Sequence, residues 1–177
     1  MSDDQLLHAY VRGQDKAFDI LYEKYKQSLY GYFYRNCDSS MVDELFQDVW
    51  LRVIASSRRY QNQNKFRSWL FTLAHNCLVD HYRRQSLRVS VSSDESEVID
   101  AEFNTPRLVE SEKLGLDLLK AIDSLPFEQK EVFFLREESG FSIKDIAKIQ
   151  DISNEAAKSR LRYAYGKLRI LLKEASI

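Results

Sequence analysis

FSIKDIAKIQDISNEAAKSRLRYAYGKLRILL, residues 141–172, is the stretch whose reading decides the fold. It divides into a short amphipathic helix, a tight turn and a longer basic helix. Ser142 is placed to cap the first helix with Asp145 three residues on, and Ile143, Ile146 and Ala147 supply an inward face. Gln150 and Asp151 turn the chain, Ile152 packs beneath the turn, and Ser153 can cap the second helix. Along that helix Ala157, Leu161, Ala164, Leu168 and Leu171 recur at three- and four-residue steps, which predicts one buried stripe. The opposite face is then Glu155, Lys158, Ser159, Arg162 and Gly166. The pattern is a helix-turn-helix.

Charge points the same way. From Asn154 to Lys173 the bases Lys158, Arg160, Arg162, Lys167, Arg169 and Lys173 stand against Glu155 alone, a net of +5. Such an excess on one helix suits a phosphate backbone and makes DNA the first partner to test. A solvated basic face on an ordinary bundle helix carries the same pattern.

The global balance hides this. The chain has 177 residues with 26 basic and 27 acidic side chains, for a net charge of −1. Split by position, residues 58–84 carry Arg58, Arg59, Lys65, Arg67, Arg83 and Arg84 against Asp80. Residues 85–110 carry Arg88 and Arg107 against Asp94, Glu95, Glu97, Asp100, Glu102 and Glu110. Two basic surfaces are therefore expected on either side of an acidic connector.

The length allows one or two domains, each half being large enough for a small helical core. Two prolines, five glycines and near-continuous helical spacing of apolar residues predict an all-α protein. No apolar run approaches the ~18 residues of a membrane span, and the start Ser2-Asp3-Asp4-Gln5 lacks the basic character of a signal peptide. Cys37 and Cys77 form no disulfide framework, so the cytoplasm is the default location.

The serine-rich, acidic segment from about Gln85 to Thr105 reads as a linker. Helical spacing resumes after Pro106, with Leu114, Leu118, Ile122 and Leu125 on one stripe and Pro126 closing it. Phe127 to Glu137 forms the next helix, and Gly140 suits its C-terminal turn. The expected architecture is two small helical domains, residues 1–86 and 111–177, joined by a flexible acidic linker at 87–110. The second domain holds four helices and ends in the helix-turn-helix.

In the first domain, Met41 to Ser57 reads as a helix with Val42, Leu45, Phe46, Val49 and Val53 inward. Glu44, Gln47, Asp48 and Leu51 lie along another face, and Asp38 and Asp43 make the helix start acidic. Acids at a helix N-terminus complement the macrodipole; a docking face for a basic protein partner is the other reading. Next come Arg58, Arg59 and Tyr60, the polar loop Gln61 to Asn64, and a helix from Lys65 to Arg84. Phe66, Leu70, Leu73 and Cys77 form its core stripe. Basic and amide groups interleaved with aromatics also suit single-stranded DNA, where charge tracks the backbone and planar groups stack on unpaired bases.

Enzyme-like signals are weak. His75 and Cys77 point to different sides of one helix and His81 completes no four-ligand set, so no metal site is expected. Cys37 lacks a basic partner nearby in sequence. The glycines are isolated, so no phosphate-cradling loop forms and no cofactor is expected.

Two runs carry a family likeness. Asp43 to Val53, followed by Phe66-Arg67-Ser68-Trp69-Leu70 and by Ala74 to Arg84, resembles region 2 of bacterial RNA polymerase sigma factors of the extracytoplasmic-function group. Leu125-Pro126, Val132 to Arg136 and Ser142 to Leu168 resemble region 4 of the same group. The likeness covers nearly the whole chain in the family's order, with a linker where the family has one.

The resemblance implies a protein that binds core RNA polymerase, directs it to promoter DNA and performs no covalent chemistry. Asp43, Glu44, Gln47, Asp48 and Leu51 would dock on the beta-prime coiled coil, and region 4 on the flap of the beta subunit. Arg58, Arg59, Tyr60, Asn62, Asn64, Lys65, Arg67, Trp69, Asn76, Arg83 and Arg84 would capture melted bases of the minus-10 element. Ser153, Glu155, Lys158, Ser159, Arg160, Arg162, Tyr163 and Lys167 would meet the minus-35 element, with Arg160 or Lys167 on phosphates and Lys158, Ser159 and Arg162 toward base edges. A separate anti-sigma chain is a further implied partner, whereas no small-molecule substrate and no membrane insertion are implied.

The chain departs from the family at three points. Asp151 takes a turn position usually held by glycine, which Asp tolerates better than most residues. Ala156-Ala157 replaces a Thr-Val pair, removing a hydroxyl that can reach phosphate. Tyr163 and Tyr165 replace frequent arginines. The rival reading is a dimeric helix-turn-helix repressor or activator that needs no polymerase, which would leave the first domain to supply a ligand pocket or dimer face.

Overall fold

The computed structural model describes residues 1–61, 65–91 and 110–175, and among them the chain is all-α, with eight helices. They are α1 (Asp3–Val11), α2 (Asp15–Asn36), α3 (Val42–Ser56), α4 (Phe66–Val91), α5 (Glu110–Asp123), α6 (Phe127–Glu137), α7 (Ile143–Ile149) and α8 (Asn154–Ala175). Short 3-10 turns at Ser39–Met41 and Ser57–Arg59 lead into and out of α3.

Local chemistry sets the ends of these helices. Ser2 caps α1 through a reciprocal box with Gln5: its hydroxyl accepts from the Gln5 amide at 3.3 Å, and the Gln5 side chain accepts from the Ser2 amide at 2.7 Å. Gly13, at φ 92°, breaks the chain between α1 and α2 in a conformation that costs glycine little.

The first half packs α1 to α4 about Leu21, Leu29, Phe33, Leu45, Val49, Leu70, Phe71 and Leu78, all fully enclosed. Trp50, which falls off the expected stripe of α3, is buried in an aromatic group with Phe18, Tyr22 and Phe46. Arg52 ties α3 to α4, its guanidinium lying 3.1 Å from Asp48 and 3.0 Å from Asp80.

In the second half Ala121, Ile122, Leu125, Phe134, Ala164 and Leu168 form a compact core. Of the stripe expected on α5, Ile122 and Leu125 are buried, but Leu118 is 37 % exposed. Among the described residues α5 packs mainly on α8, which covers its C-terminal turn. Gly140, at φ 66°, supplies the turn after α6.

One expected boundary of the connector changes. Residues 87–91, assigned to the linker, continue α4, while the acidic run at 94–102 lies outside the described residues. The halves are also packed on each other. Val132, Leu135, Phe141, Ile146 and Ile149 of the second half join the core of the first, with Phe71 and Phe141 in edge contact at 5.0 Å and Tyr82 against Phe127 at 5.0 Å.

Burial, before any other cause, raises the Cys77 thiol and the Tyr82 hydroxyl to about 12 each, from ordinary values of 9.0 and 10.0. Both groups are therefore held neutral by the fold. The stability they contribute is full below their ordinary values and is lost as pH rises from there through about 12. Thermal unfolding followed by circular dichroism should give a Tm that falls between pH 9 and pH 12, and a flat Tm there would refute this assignment.

Candidate nucleic-acid interface

The helix-turn-helix forms as the spacing predicts. Ser142 accepts from the Asp145 amide at 3.1 Å, and Asp145 accepts from the Ser142 hydroxyl at 2.6 Å and from its amide at 3.4 Å. Asp151 sits at φ 53°, in the left-handed region, and Ile152 packs against the core beneath it. Ser153 caps α8, its hydroxyl accepting from the Ala156 amide at 3.0 Å. Ala157, Ala164 and Leu168 are buried, which fixes the rotation of α8 about its axis.

That rotation presents Ser153, Glu155, Lys158, Arg162 and Tyr163 to solvent, with Ser159 half-buried. Lys158 pairs with Glu155 at 3.1 Å, a surface contact of the kind that contributes less than about 1 kcal/mol and yields readily to a phosphate. Arg162, one turn on, is exposed, with its guanidinium 5.6 Å from the Tyr163 ring. Two further bases of α8 have partners within the protein. Arg160 donates to Gln150 Oε1 at 3.1 Å, and Lys167 donates to the Ser124 carbonyl at 2.9 Å, at the C-terminal end of α5. Tyr165 donates to Glu137, which turns it toward α6.

The basic and aromatic set of the first half divides into exposed members and members engaged within the protein. Arg58 and Arg59 stand exposed on the 3-10 turn after α3, and Lys65, Asn76, Arg83 and Arg84 are exposed on or beside α4. Asn62 and Asn64 lie outside the described residues. Tyr60 and Trp69 stack at 4.6 Å between ring centroids and are half-buried, and Tyr60 also donates to the buried carboxylate of Asp4. This pair both packs and presents ring surface. Arg67 faces the other half of the chain: it donates to the Ser139 carbonyl, and its guanidinium lies 4.2 Å from the Phe141 ring.

On α3, Asp43, Glu44, Gln47 and Leu51 are exposed. Leu51 is 63 % exposed and Ile54 41 %, so the steps 44, 47, 51 and 54 define a solvent stripe that begins acidic and ends apolar. Sequence reading missed Ile54, although its position three residues after Leu51 was the available signal. Asp48 is half-buried and engaged by Arg52, so it borders this stripe. Asp43 accepts from the Tyr30 hydroxyl at 3.2 Å.

No His, Cys, Asp and Glu grouping suited to a metal occurs among the described residues. His75 instead lies against Glu131, while Cys77 is buried on the opposite side beside Arg52 and Asp48. Cys37 is half-buried, and burial, followed by the charge of Asp38, raises its thiol to about 11. A thiol held neutral at physiological pH is a poor nucleophile.

Replacing Asp151 with Gly relieves a left-handed conformation that costs an L-residue roughly 1–2 kcal/mol, offset in part by a more flexible unfolded chain. Urea denaturation should show Asp151→Gly more stable by up to about 1 kcal/mol, and destabilisation would mean the carboxylate has a role of its own in the turn.

Comparison with known proteins places both halves of the chain in a family. Residues 21–88 match the model for Sigma-70 region 2, and residues 115–168 match the model for Sigma-70 region 4. The chain is similar to the RNA polymerase sigma factor CarQ of Myxococcus xanthus, at 30 % identity over 93 % of this chain and 94 % of the relative. It is similar to the ECF RNA polymerase sigma factor SigX of Bacillus subtilis, at 26 % identity over 82 % of this chain and 78 % of the relative. Its fold matches the sigma factor RpoE solved with the anti-sigma factor NepR from Bartonella quintana. That match has a TM-score of 0.72 and 24 % identity, and covers 89 % of this chain and 98 % of the other.

Proposed function

The chain belongs to the extracytoplasmic-function group of RNA polymerase sigma factors, and on that premise we propose how its surfaces divide the work of promoter-directed transcription initiation. Residues 1–86, extended by α4 to Val91, act as the region 2 module and 111–177 as the region 4 module, with the intervening residues as connector. Glu44, Gln47 and Leu51, continued by Ile54 and bordered by Asp43 and Asp48, dock on the beta-prime coiled coil of core polymerase. The observation that carries this reading is that stripe: acidic, then apolar, and exposed on a helix whose other face is core. The flap of the beta subunit is the proposed contact of the region 4 module.

Arg58, Arg59, Lys65, Asn76, Arg83 and Arg84 track the strands at the minus-10 element, and the Tyr60–Trp69 pair receives unstacked bases. Asn62 and Asn64 complete that set from the loop, and Arg67 joins it once freed from Ser139. Holding extruded bases that duplex DNA does not present offsets the few kcal/mol of unstacking, so melting follows from differential binding. Lys158, Ser159 and Arg162 read the minus-35 element in the major groove, with Ser153, Glu155 and Tyr163 at the edge of the contact. Arg160 and Lys167 reach phosphates after leaving Gln150 and Ser124.

No covalent step, metal or cofactor enters this mechanism, and its place of action is the cytoplasm, where polymerase and promoters meet. No described helix is long and apolar enough to cross a membrane. A separate anti-sigma chain is the proposed inhibitor.

Run-off transcription with core polymerase on genomic promoter fragments tests the whole reading. Addition of the protein should produce discrete transcripts sharing two upstream motifs. Sequence-specific duplex binding without initiation would favour a conventional helix-turn-helix regulator. Glu44→Arg should weaken core binding at least tenfold with unchanged helical content, and wild-type affinity would remove the stripe from the docking face. Asp48→Arg is a poorer probe, because it sets a second cation against Arg52. Arg162→Ala should relax preference at one minus-35 base pair by ~1–3 kcal/mol, and equal loss on all sequences would make Arg162 a phosphate contact.

A further inference from the structure

Glu131 is a charged side chain with no solvent exposure, on a helix of the second module. Its Oε1 accepts from the Tyr32 hydroxyl of α2 at 2.5 Å and lies 2.8 Å from His75 Nδ1 of α4; its Oε2 accepts from Gln150 Nε2 at 2.8 Å. Two of these three partners belong to the first module. Gln150 passes the connection on, its Oε1 accepting from Arg160 at 3.1 Å. Beside this cluster, Arg67 donates to the Ser139 carbonyl and covers Phe141, and Arg35 pairs with Glu138 at 3.1 Å.

We propose that the protein alone rests in a closed state latched by Glu131, and that this seam holds back one member of each DNA-binding set, Arg67 from region 2 and Arg160 from region 4. The proposal rests on the assignment of those two sets above. Distance requires the closed state to open. The minus-35 and minus-10 positions lie about 25 base pairs apart, or about 85 Å of duplex at 3.4 Å per base pair. A compact chain of this length has a radius of gyration of about 16 Å and measures roughly 40 Å across, so the closed form does not reach both.

Apolar and aromatic contacts hold the seam shut, and the latch makes closure conditional: Glu131 has no solvent inside the seam, so a closed state that fails to supply its donors leaves a buried charge unanswered. Separation exchanges Tyr32 and His75 for water, which a carboxylate accepts readily, so the seam is bistable rather than permanent. Docking of the two modules at separate places on polymerase would supply the opening. Release of Glu131 then frees Gln150, and through it Arg160, while separation of the helices exposes Arg67.

Charge replacement with rescue tests the latch. His75→Glu sets a second carboxylate against Glu131, and Glu131→Lys sets a cation against His75 and Gln150. Small-angle scattering should show each single variant expanding about 1.5-fold in radius of gyration, toward two modules on a flexible tether, with helical circular dichroism retained. The double variant His75→Glu/Glu131→Lys restores opposite charges across the seam and should return to wild-type dimensions. Wild-type dimensions in both single variants would overturn the latch. So would lost helicity in them, or a double variant as expanded as either, since Glu131 would then be serving only the packing of its own module.

Binding to a promoter fragment without polymerase separates this inference from the functional reading. The single variants alter charge in opposite senses, yet both should bind at least about tenfold more tightly than wild type, because apparent affinity scales with the open fraction. Expansion without tighter binding would keep the latch and overturn the masking of Arg67 and Arg160. A failure of run-off initiation would instead remove the premise.

Discussion

A carboxylate without solvent must have its lone pairs answered, and Glu131 answers them from both halves of the chain. This constraint organises the molecule. Tyr32 and His75 reach it from α2 and α4, so those helices and α6 must meet in one register, and Gln150 joins it from the end of α7. Burial and the neighbouring Glu131 charge together push the Tyr32 hydroxyl well above its ordinary range, so it stays a donor. An ion buried in this way is a weak source of net stability but a strong selector of geometry, since any misalignment leaves a charge unanswered.

Around that point the seam is apolar and aromatic. Phe71 meets Phe141, Tyr82 meets Phe127, and Val132, Leu135 and Ile146 extend the first core into the second half. The turn between α6 and α7 is thereby seated on α4, which sets the position of the helix-turn-helix relative to the first module. The outer face of α8 and the outer stripe of α3 lie away from the seam and stay open. On the proposed assignment, surfaces for outside partners and surfaces for self-contact occupy different faces of the same helices, apart from Arg67 and Arg160, whose long side chains would serve either.

Much of the fold was legible from local chemistry. The Ser142 and Ser153 caps, the Asp151 turn, the bounds of α6 and the buried stripe of α8 follow from spacing and side-chain type, because a helix carries its period and caps within a few residues. Errors arose where burial depends on distant chain. Leu118 has the right spacing for a core stripe but stays exposed among the described residues, and Trp50 lies off the stripe yet is enclosed by Phe18 and Tyr22 of another helix. Asp48 carries the right charge for the outer stripe but is drawn to Arg52, which also serves Asp80 twenty-eight residues on.

The sequence by itself determined the all-α class, the two modules, the helix-turn-helix and the family, since each is written in periodicity, caps and motifs of short range. Only the tertiary structure decided that the modules close on one another, that Glu131, Tyr32, His75 and Gln150 meet, and that Arg67 and Arg160 are engaged within the protein. Nothing local marks Glu131 as buried: on α6 it is one acid among several, with Glu128 before it and Glu137 after. Its role comes from partners that α2 and α4 bring from the other half, and sequence spacing carries no information about which faces meet across such a distance.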